Sequence, residues 1–232
     1  MNSLKSLSKP KAIIYDWDNT LVDSWPLIQR SIDKTMIAFD KEPWGLEKVK
    51  NSVHQSMRES FPQIFGDKWQ EAGEIYKKSY HEIHLDIDFL PNAYDLIRTV
   101  AKTDILQFVI SNKVGSTLRQ ECKALRVSDL FFAIIGAHDA YNDKPSKDPV
   151  DLALMGSDLD PNKDEIWFIG DTIADVHCAL NSGCRPIIFK TQDGSISKSI
   201  SPQLIKEKSI ISYDDHLEIK EILLSLTDIE SK

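Results

Sequence analysis

Asp16 and Asp18 stand two residues apart directly after the apolar run Ala12-Ile13-Ile14-Tyr15, and Asn19 and Thr20 complete the cluster. Three more polar clusters follow: Ser111-Asn112-Lys113, the loop Lys144-Pro145-Ser146-Lys147-Asp148-Pro149, and Gly170-Asp171-Thr172-Ile173-Ala174-Asp175. If the loops meet, several carboxylates share one crevice, where they repel each other unless a hard cation joins them. Oxygen ligands with residual water suit Mg²⁺, so the residue types alone imply a divalent metal. Each cluster also has a plain structural reading. Asp, Asn and Thr favour turns, Ser and Asn cap helices, and Asp171 and Asp175 suit the first turn of a helix.

The elements around the clusters decide whether they meet. The run at 12–15 reads as a buried strand ending in a functional loop, and the same pattern of strand then polar loop recurs at 105–110 and 166–169, with further strands at 131–135 and 186–189. Helical spacing fills the gaps at 115–125, 149–155 and 173–182, the last with Gly183 as its C-terminal cap, and a further helix spans 216–226. The polar stretch 191–201 reads as a loop. Strands alternating with helices predict an α/β fold, a Rossmann-like parallel sheet with helices on both faces. In such sheets ligands bind beyond the carboxyl ends of the strands, which brings all four clusters to one site. Between the first two strands, the sequence predicts helices at 24–40, at 46–60 (ending before Pro62) and at 67–84, then one opened by Pro91. The expected organisation is a core of residues 1–22 and 89–232 carrying an inserted all-helical cap domain, 23–88.

With 232 residues, 41% hydrophobic and 28% charged, the chain has enough apolar content to fold throughout. Its net charge of -8 argues against nucleic acid or an anionic membrane as the main partner. Three cysteines without ligand spacing suggest neither a disulfide framework nor a zinc site, and no apolar run has the length of a signal peptide or membrane span. Cytoplasmic localisation is expected.

Taken in order, Asp16-Trp17-Asp18-Asn19-Thr20, Ser111-Asn112, Lys144-Pro145 and Gly170-Asp171-Thr172-Ile173-Ala174-Asp175 resemble the four motifs of the haloacid dehalogenase superfamily, over about residues 11–189. Ser111-Asn112-Lys113 and the Lys144 loop running into Asp148-Pro149 look most like its phosphoglycolate phosphatase-like hydrolases. The resemblance implies that Asp16 attacks phosphorus, that Asp18 is the general acid and base, and that Lys144 meets the developing charge. It places Thr20, Ser111 and Asn112 around the substrate. It also implies Mg²⁺ on Asp16, Asp171 and the Asp18 backbone carbonyl, with Asp175 bound through water or as a supporting acceptor. The implied substrate is a small-molecule phosphate ester, turned over by a monomer or homodimer. For Ser111 alone, helix capping and phosphate binding stand level.

Two departures from the superfamily pattern stand out. Lys147 occupies a position where proline is usual, so two lysines compete for one role. The Lys-Pro position and the restriction that Pro145 places on Lys144 favour Lys144. Trp17 is bulkier than the usual residue between the aspartates and is expected to face away from Asp16. Lys113 reads as either solvent-exposed or near the phosphate. In the insert, His54 and Arg58 share a helical face that can reach a substrate anion, against the reading of an ordinary solvated face. Trp25, Trp44 and Trp69 read as packing residues. A phosphomutase of the β-phosphoglucomutase kind is the nearest rival activity, and a receiver-type phosphoacceptor or binding module the more distant one.

Overall fold

The computed structural model describes Leu4, residues 7–52, 57–190, Ile196, 199–208 and 210–227, though not the side chains of Asn51, Met57, Arg58 or Glu59. In chain order these form β1 (Ala12–Tyr15), α1 (Trp25–Ala38), α2 (Gly45–Ser52), α3 (Met57–Phe65), α4 (Trp69–Ile83), α5 (Ala93–Val100), β2 (Leu106–Val114) and α6 (Gly115–Ala124). They continue with β3 (Ala133–Ala137), α7 (Asp148–Ala153), β4 (Ile166–Gly170), α8 (Ile173–Ser182), β5 (Arg185–Phe189), α9 (Pro202–Glu207), β6 (Ile211–Tyr213) and α10 (His216–Leu226). The chain divides into two compact units, Met1–Val22 with Phe89–Lys232 and Asp23–Asp88.

The larger unit is built on one parallel sheet in the order β3-β2-β1-β4-β5-β6. The α/β expectation is borne out. Its strands are apolar almost without interruption because both faces are covered, as a parallel sheet requires. Ala12, Ile14, Phe108, Ile110, Ile166 and Phe168 alternate onto one face, where they pack with Val150, Ala153, Cys178 and Ala179 of α7 and α8. On the other, Gln107 donates from Nε2 to the Ile97 carbonyl of α5 at 3.0 Å. β1 lies between β2 and β4 with Tyr15 opposite both Val109 and Ile169, so the residues that follow these three strands emerge side by side. Chain order reverses direction across the β1–β4 pair, the switch point at which open sheets leave a crevice.

Two local expectations need correction, and two short elements went unpredicted. β2 runs through Ser111-Asn112-Lys113 to Val114, with a register shift against β3 between Ile110 and Val114, where a loop was expected. The polar side chains tolerate this because each finds a partner there. Pro62 lies inside α3, although a helical proline loses one hydrogen bond and crowds the preceding turn. Phe61 and Phe65 on either side are buried, with ring centroids 5.1 Å apart, and hold the segment helical. α9 and β6, six and three residues long, were too short to register as periodic segments.

The Asp23–Asp88 unit is helical in all its described elements. Ile32, Met36, Val49, Phe61, Phe65 and Ala72 form its core, and Trp25, Trp44 and Trp69 pack against it. Among the described residues of the whole chain, no helix is long and apolar enough to cross a membrane. The three cysteines are buried free thiols.

Candidate active site

Asp16 continues β1, its backbone N–H bonded to the Ile169 carbonyl of β4 at 2.8 Å. The chain then turns tightly. The Trp17 carbonyl accepts from the N–H groups of Thr20, Leu21 and Val22, and Asn19 sits at φ 58°, a left-handed position that Asn tolerates better than most residues. This turn returns Thr20 towards β4, where its buried hydroxyl donates to Asp171 Oδ1 at 3.2 Å. Thr20 therefore supports a carboxylate of the cluster.

Lys144 enters from the loop before α7. Its Nζ donates to Asp16 Oδ1 at 2.7 Å, to Asp175 Oδ1 at 2.6 Å and to the Ile110 carbonyl at 2.9 Å, which uses all three ammonium protons. The loop is clamped by Asn112, whose Nδ2 donates to the Lys144 carbonyl and whose Oδ1 accepts from the Lys144 N–H, both at 3.0 Å. Asn112 thus holds the backbone that carries the lysine. Lys147 is exposed and pairs with Asp151 at 2.8 Å. Ser111 is buried beside the site, and its Oγ accepts from the Lys113 N–H at 3.2 Å.

Asp175 is fixed from the other side. Its Oδ2 accepts from the Thr172 N–H at 2.9 Å and from the Thr172 hydroxyl at 2.6 Å, so the N-terminus of α8 locks its rotamer. Gly170 has to be glycine here, because a Cβ at that position would lie 2.3 Å from the Asp175 carboxyl carbon.

Ligand oxygens of Asp16, Asp171 and Asp175 lie within 4.8 Å of one another, and all three residues are buried. Burial pushes the Asp16 carboxyl up to about 7; Lys144 opposes the rise, while Asp175 and Asp18 add to it. Asp171 is raised well above the usual carboxylate range by burial and then by Asp16 and Asp175. Burial alone would lower Lys144, but Asp16 and Asp175 overcome it and hold the ammonium above the ordinary lysine value. Three carboxylates against one ammonium leave two negative charges, which a divalent cation would cancel. Hard oxygen donors suit Mg²⁺. Because Asp175 already spends both oxygens on Lys144 and Thr172, Asp16 and Asp171 are the better direct ligands.

Asp18 lies apart from this triad. Its Oδ1 pairs with Lys113 Nζ at 2.7 Å, and Lys113 also reaches Glu121 Oε2 at 2.6 Å. With its side chain 8% exposed, Lys113 is not the solvent-exposed lysine that one reading expected. Trp17 turns its indole inward, away from Asp16, and donates from Nε1 to Glu121 Oε2 at 2.8 Å. Glu121 and His216 were missed by sequence reasoning. Glu121 was detectable, since it falls with Leu118 and Cys122 on the buried stripe of α6, where an acid is out of place. His216 Nε2 lies 2.7 Å from the Thr20 carbonyl, so that nitrogen carries the proton, and Nδ1 accepts from the Tyr213 hydroxyl at 3.0 Å. The helix start at His216 was readable; its contact with a turn 196 residues away was not. His54 lies outside the described residues, and Arg58 falls on α3 with its side chain undescribed.

A concavity of about 410 Å³ lies elsewhere, where Ile166, Arg185 and Ile211 begin β4, β5 and β6. It contains none of these groups. The perturbed acids and the buried lysine converge instead at the opposite strand ends, which makes that cluster the candidate site.

Known proteins resemble this chain in sequence and fold. The haloacid dehalogenase-like hydrolase family matches residues 13–189. The chain is 26% identical over 175 residues to the pyrophosphatase PpaX of Bacillus velezensis, covering 75% of this chain and 80% of that protein. It is 24% identical over 186 residues to phosphoglycolate phosphatase 1 of Pseudomonas aeruginosa, covering 76% and 68%. A crystal structure of a HAD-superfamily hydrolase from Ehrlichia chaffeensis, 26% identical, superposes with a TM-score of 0.64 over 95% of this chain and 99% of that one.

Proposed function

Because this chain belongs to the haloacid dehalogenase-like hydrolases, we propose that it is a Mg²⁺-dependent phosphatase that hydrolyses a small phosphate ester through an aspartyl-phosphate on Asp16. The observation that carries the reading is the buried Asp16 carboxylate, held at 2.7 Å by Lys144 and grouped with Asp171 and Asp175. A carboxylate so fixed at the carboxyl end of β1 is a placed nucleophile.

Asp16 attacks phosphorus as the bond from phosphorus to the ester oxygen breaks, and Asp18 gives that oxygen its proton. Asp18 then takes a proton from water, which attacks the same phosphorus and breaks its bond to Asp16, releasing inorganic phosphate and restoring the Asp16 carboxylate and the Asp18 carboxylic acid. Lys144 fixes the nucleophile and supplies positive charge where the phosphoryl oxygens gather. Ser111, within the adjoining strand β2, would donate to one of those oxygens. Asp16 and Asp171 would hold Mg²⁺, which when bound offsets the repulsion between the carboxylates and the incoming phosphate. Thr20, Asn112, Thr172 and Gly170 keep Asp171, Lys144 and Asp175 in place.

The 23–88 insert would select the ester as a cap, with Arg58 as an anion contact. The names of the relatives point to phosphoglycolate and pyrophosphate as first candidates. A panel of phosphate esters and pyrophosphate, assayed with Mg²⁺ and with EDTA on wild type and Asp16→Asn, tests the reading. Metal-dependent phosphate release that disappears in Asp16→Asn supports it. Release that persists in EDTA or in the variant defeats it.

A further inference from the structure

Four side chains beside the carboxylate triad form a chain of contacts that the reaction above leaves unused. Trp17 Nε1 and Lys113 Nζ both donate to Glu121 Oε2, at 2.8 and 2.6 Å, and Lys113 Nζ reaches on to Asp18 Oδ1 at 2.7 Å. Exposure grades outward along it. Trp17 and the Glu121 side chain are fully buried, Lys113 is 8% exposed and Asp18 26% exposed. An acid in a core is kept only when it is paired, and breaking one partner of such a pair costs far more than an exposed ion pair is worth. Glu121 sits on α6, Lys113 near the end of β2, and Trp17 and Asp18 on the turn after β1, so three separate elements are tied at one oxygen.

Resting on the assignment of Asp18 as acid and base, we propose that Glu121 is a positioning residue that acts through Lys113 to set the direction of the Asp18 carboxyl. Trp17 anchors the other end. The two residues of the turn are therefore gripped differently. Trp17 is drawn inward, and its neighbour Asp18 is held outward by a lysine that Glu121 prevents from swinging to solvent. A lysine has a long flexible stem and would otherwise offer a loose grip. With its ammonium shared between a buried acid and Asp18, it offers a fixed one. The bulk of Trp17, a departure from the superfamily pattern, has its reason here: a smaller aliphatic residue supplies no N–H to Glu121.

The proposal separates from a general structural role by leaving-group dependence. A misdirected acid matters most when the departing oxygen is a poor leaving group, so an alkyl phosphate suffers and an aryl phosphate is spared. The test measures kcat on an alkyl and an aryl phosphate, on the same preparation, for wild type, Asp18→Asn, Lys113→Met, Glu121→Gln and Lys113→Met with Glu121→Gln. The ratio of the two rates is independent of how much of the preparation is folded. Lys113→Met is expected to lower the alkyl-to-aryl ratio by roughly tenfold or more, as small misplacements of an acid do. Glu121→Gln should lower it in the same direction, and adding Glu121→Gln to Lys113→Met should change it no further, because Glu121 acts through Lys113. An unchanged ratio in Lys113→Met, or an additive double variant, overturns the proposal. If Asp18→Asn itself leaves the ratio unchanged, the acid assignment fails and this inference with it. If Asp18→Asn splits the substrates and Lys113→Met does not, this inference alone fails.

Discussion

Lys144→Met removes one positive charge and leaves a side chain of similar length among Asp16, Asp175 and the Ile110 carbonyl. The ammonium it deletes is 3% exposed and makes contacts of 2.7, 2.6 and 2.9 Å. Removing one partner of a buried ion pair costs about 3 to 5 kcal/mol, so the metal-free variant should melt well below wild type. Turnover should fall further than stability explains. A charge aimed at the transferring phosphoryl group contributes about 2 to 4 kcal/mol to the transition state, which corresponds to a drop in kcat of roughly two to three powers of ten. Saturating Mg²⁺ should restore part of the lost stability, since a cation between the carboxylates relieves the same repulsion, but it should not restore turnover. Lys147→Ala supplies the contrast. Its ammonium is exposed and paired with Asp151 at 2.8 Å, an arrangement worth at most about 1 kcal/mol, and kcat should change by less than about tenfold. Steady-state assays on an aryl phosphate, with thermal melts of the same samples, read both quantities. A Lys144→Met enzyme within tenfold of wild type, or a larger defect at Lys147, refutes the reasoning.

Mg²⁺ should raise the thermal midpoint of the wild type at pH 7, by about 2.7 kcal/mol of stability at a hundred times its Kd. Asp171→Asn should lose most of that gain, and an equal gain in the variant would place the metal elsewhere. Burial lowers His216 from 6.5 to about 4, so the unfolded chain binds the proton more readily and the histidine's contribution, present above 6.5, is lost as pH falls towards 4. At about 1.4 kcal/mol per pH unit, the advantage of wild type over His216→Gln should shrink by up to about 3 kcal/mol across that window, and a constant difference in denaturant melts would contradict it. Arg58→Ala should raise KM for a substrate carrying a second anionic group more than it lowers kcat on a small neutral aryl phosphate. Parallel losses on the two would give Arg58 a structural role.

Much of this site was readable because the chemistry lies where elements end. Asp16 follows an apolar run, Asp171 follows another, and Gly183 closes α8 in the left-handed conformation, φ 81°, that a glycine cap predicts. Strand order, by contrast, is a property of pairing, and only the registers of Tyr15 with Val109 and Ile169 put the clusters beside one another. The roles of the polar residues were harder to read. Nothing in the sequence signalled that Thr20 bonds Asp171 or that Asn112 clamps the Lys144 backbone, since these partners lie 151 and 32 positions away. β2 was expected to stop at Ser111 because three polar residues in a row resemble a loop. It continues because Lys113 and Asn112 are satisfied by residues 8 and 32 positions away, a separation beyond any local pattern.

The central claim is a covalent bond between Asp16 and phosphorus. Borohydride added during turnover of a phosphate ester reduces an aspartyl-phosphate to homoserine, and peptide mass spectrometry locates the change. Wild type should carry homoserine at position 16, only when substrate and Mg²⁺ are both present, and Asp16→Asn should carry none. Continued phosphate release under trapping conditions with Asp16 unmodified, or with the modification at another carboxylate, would contradict the account.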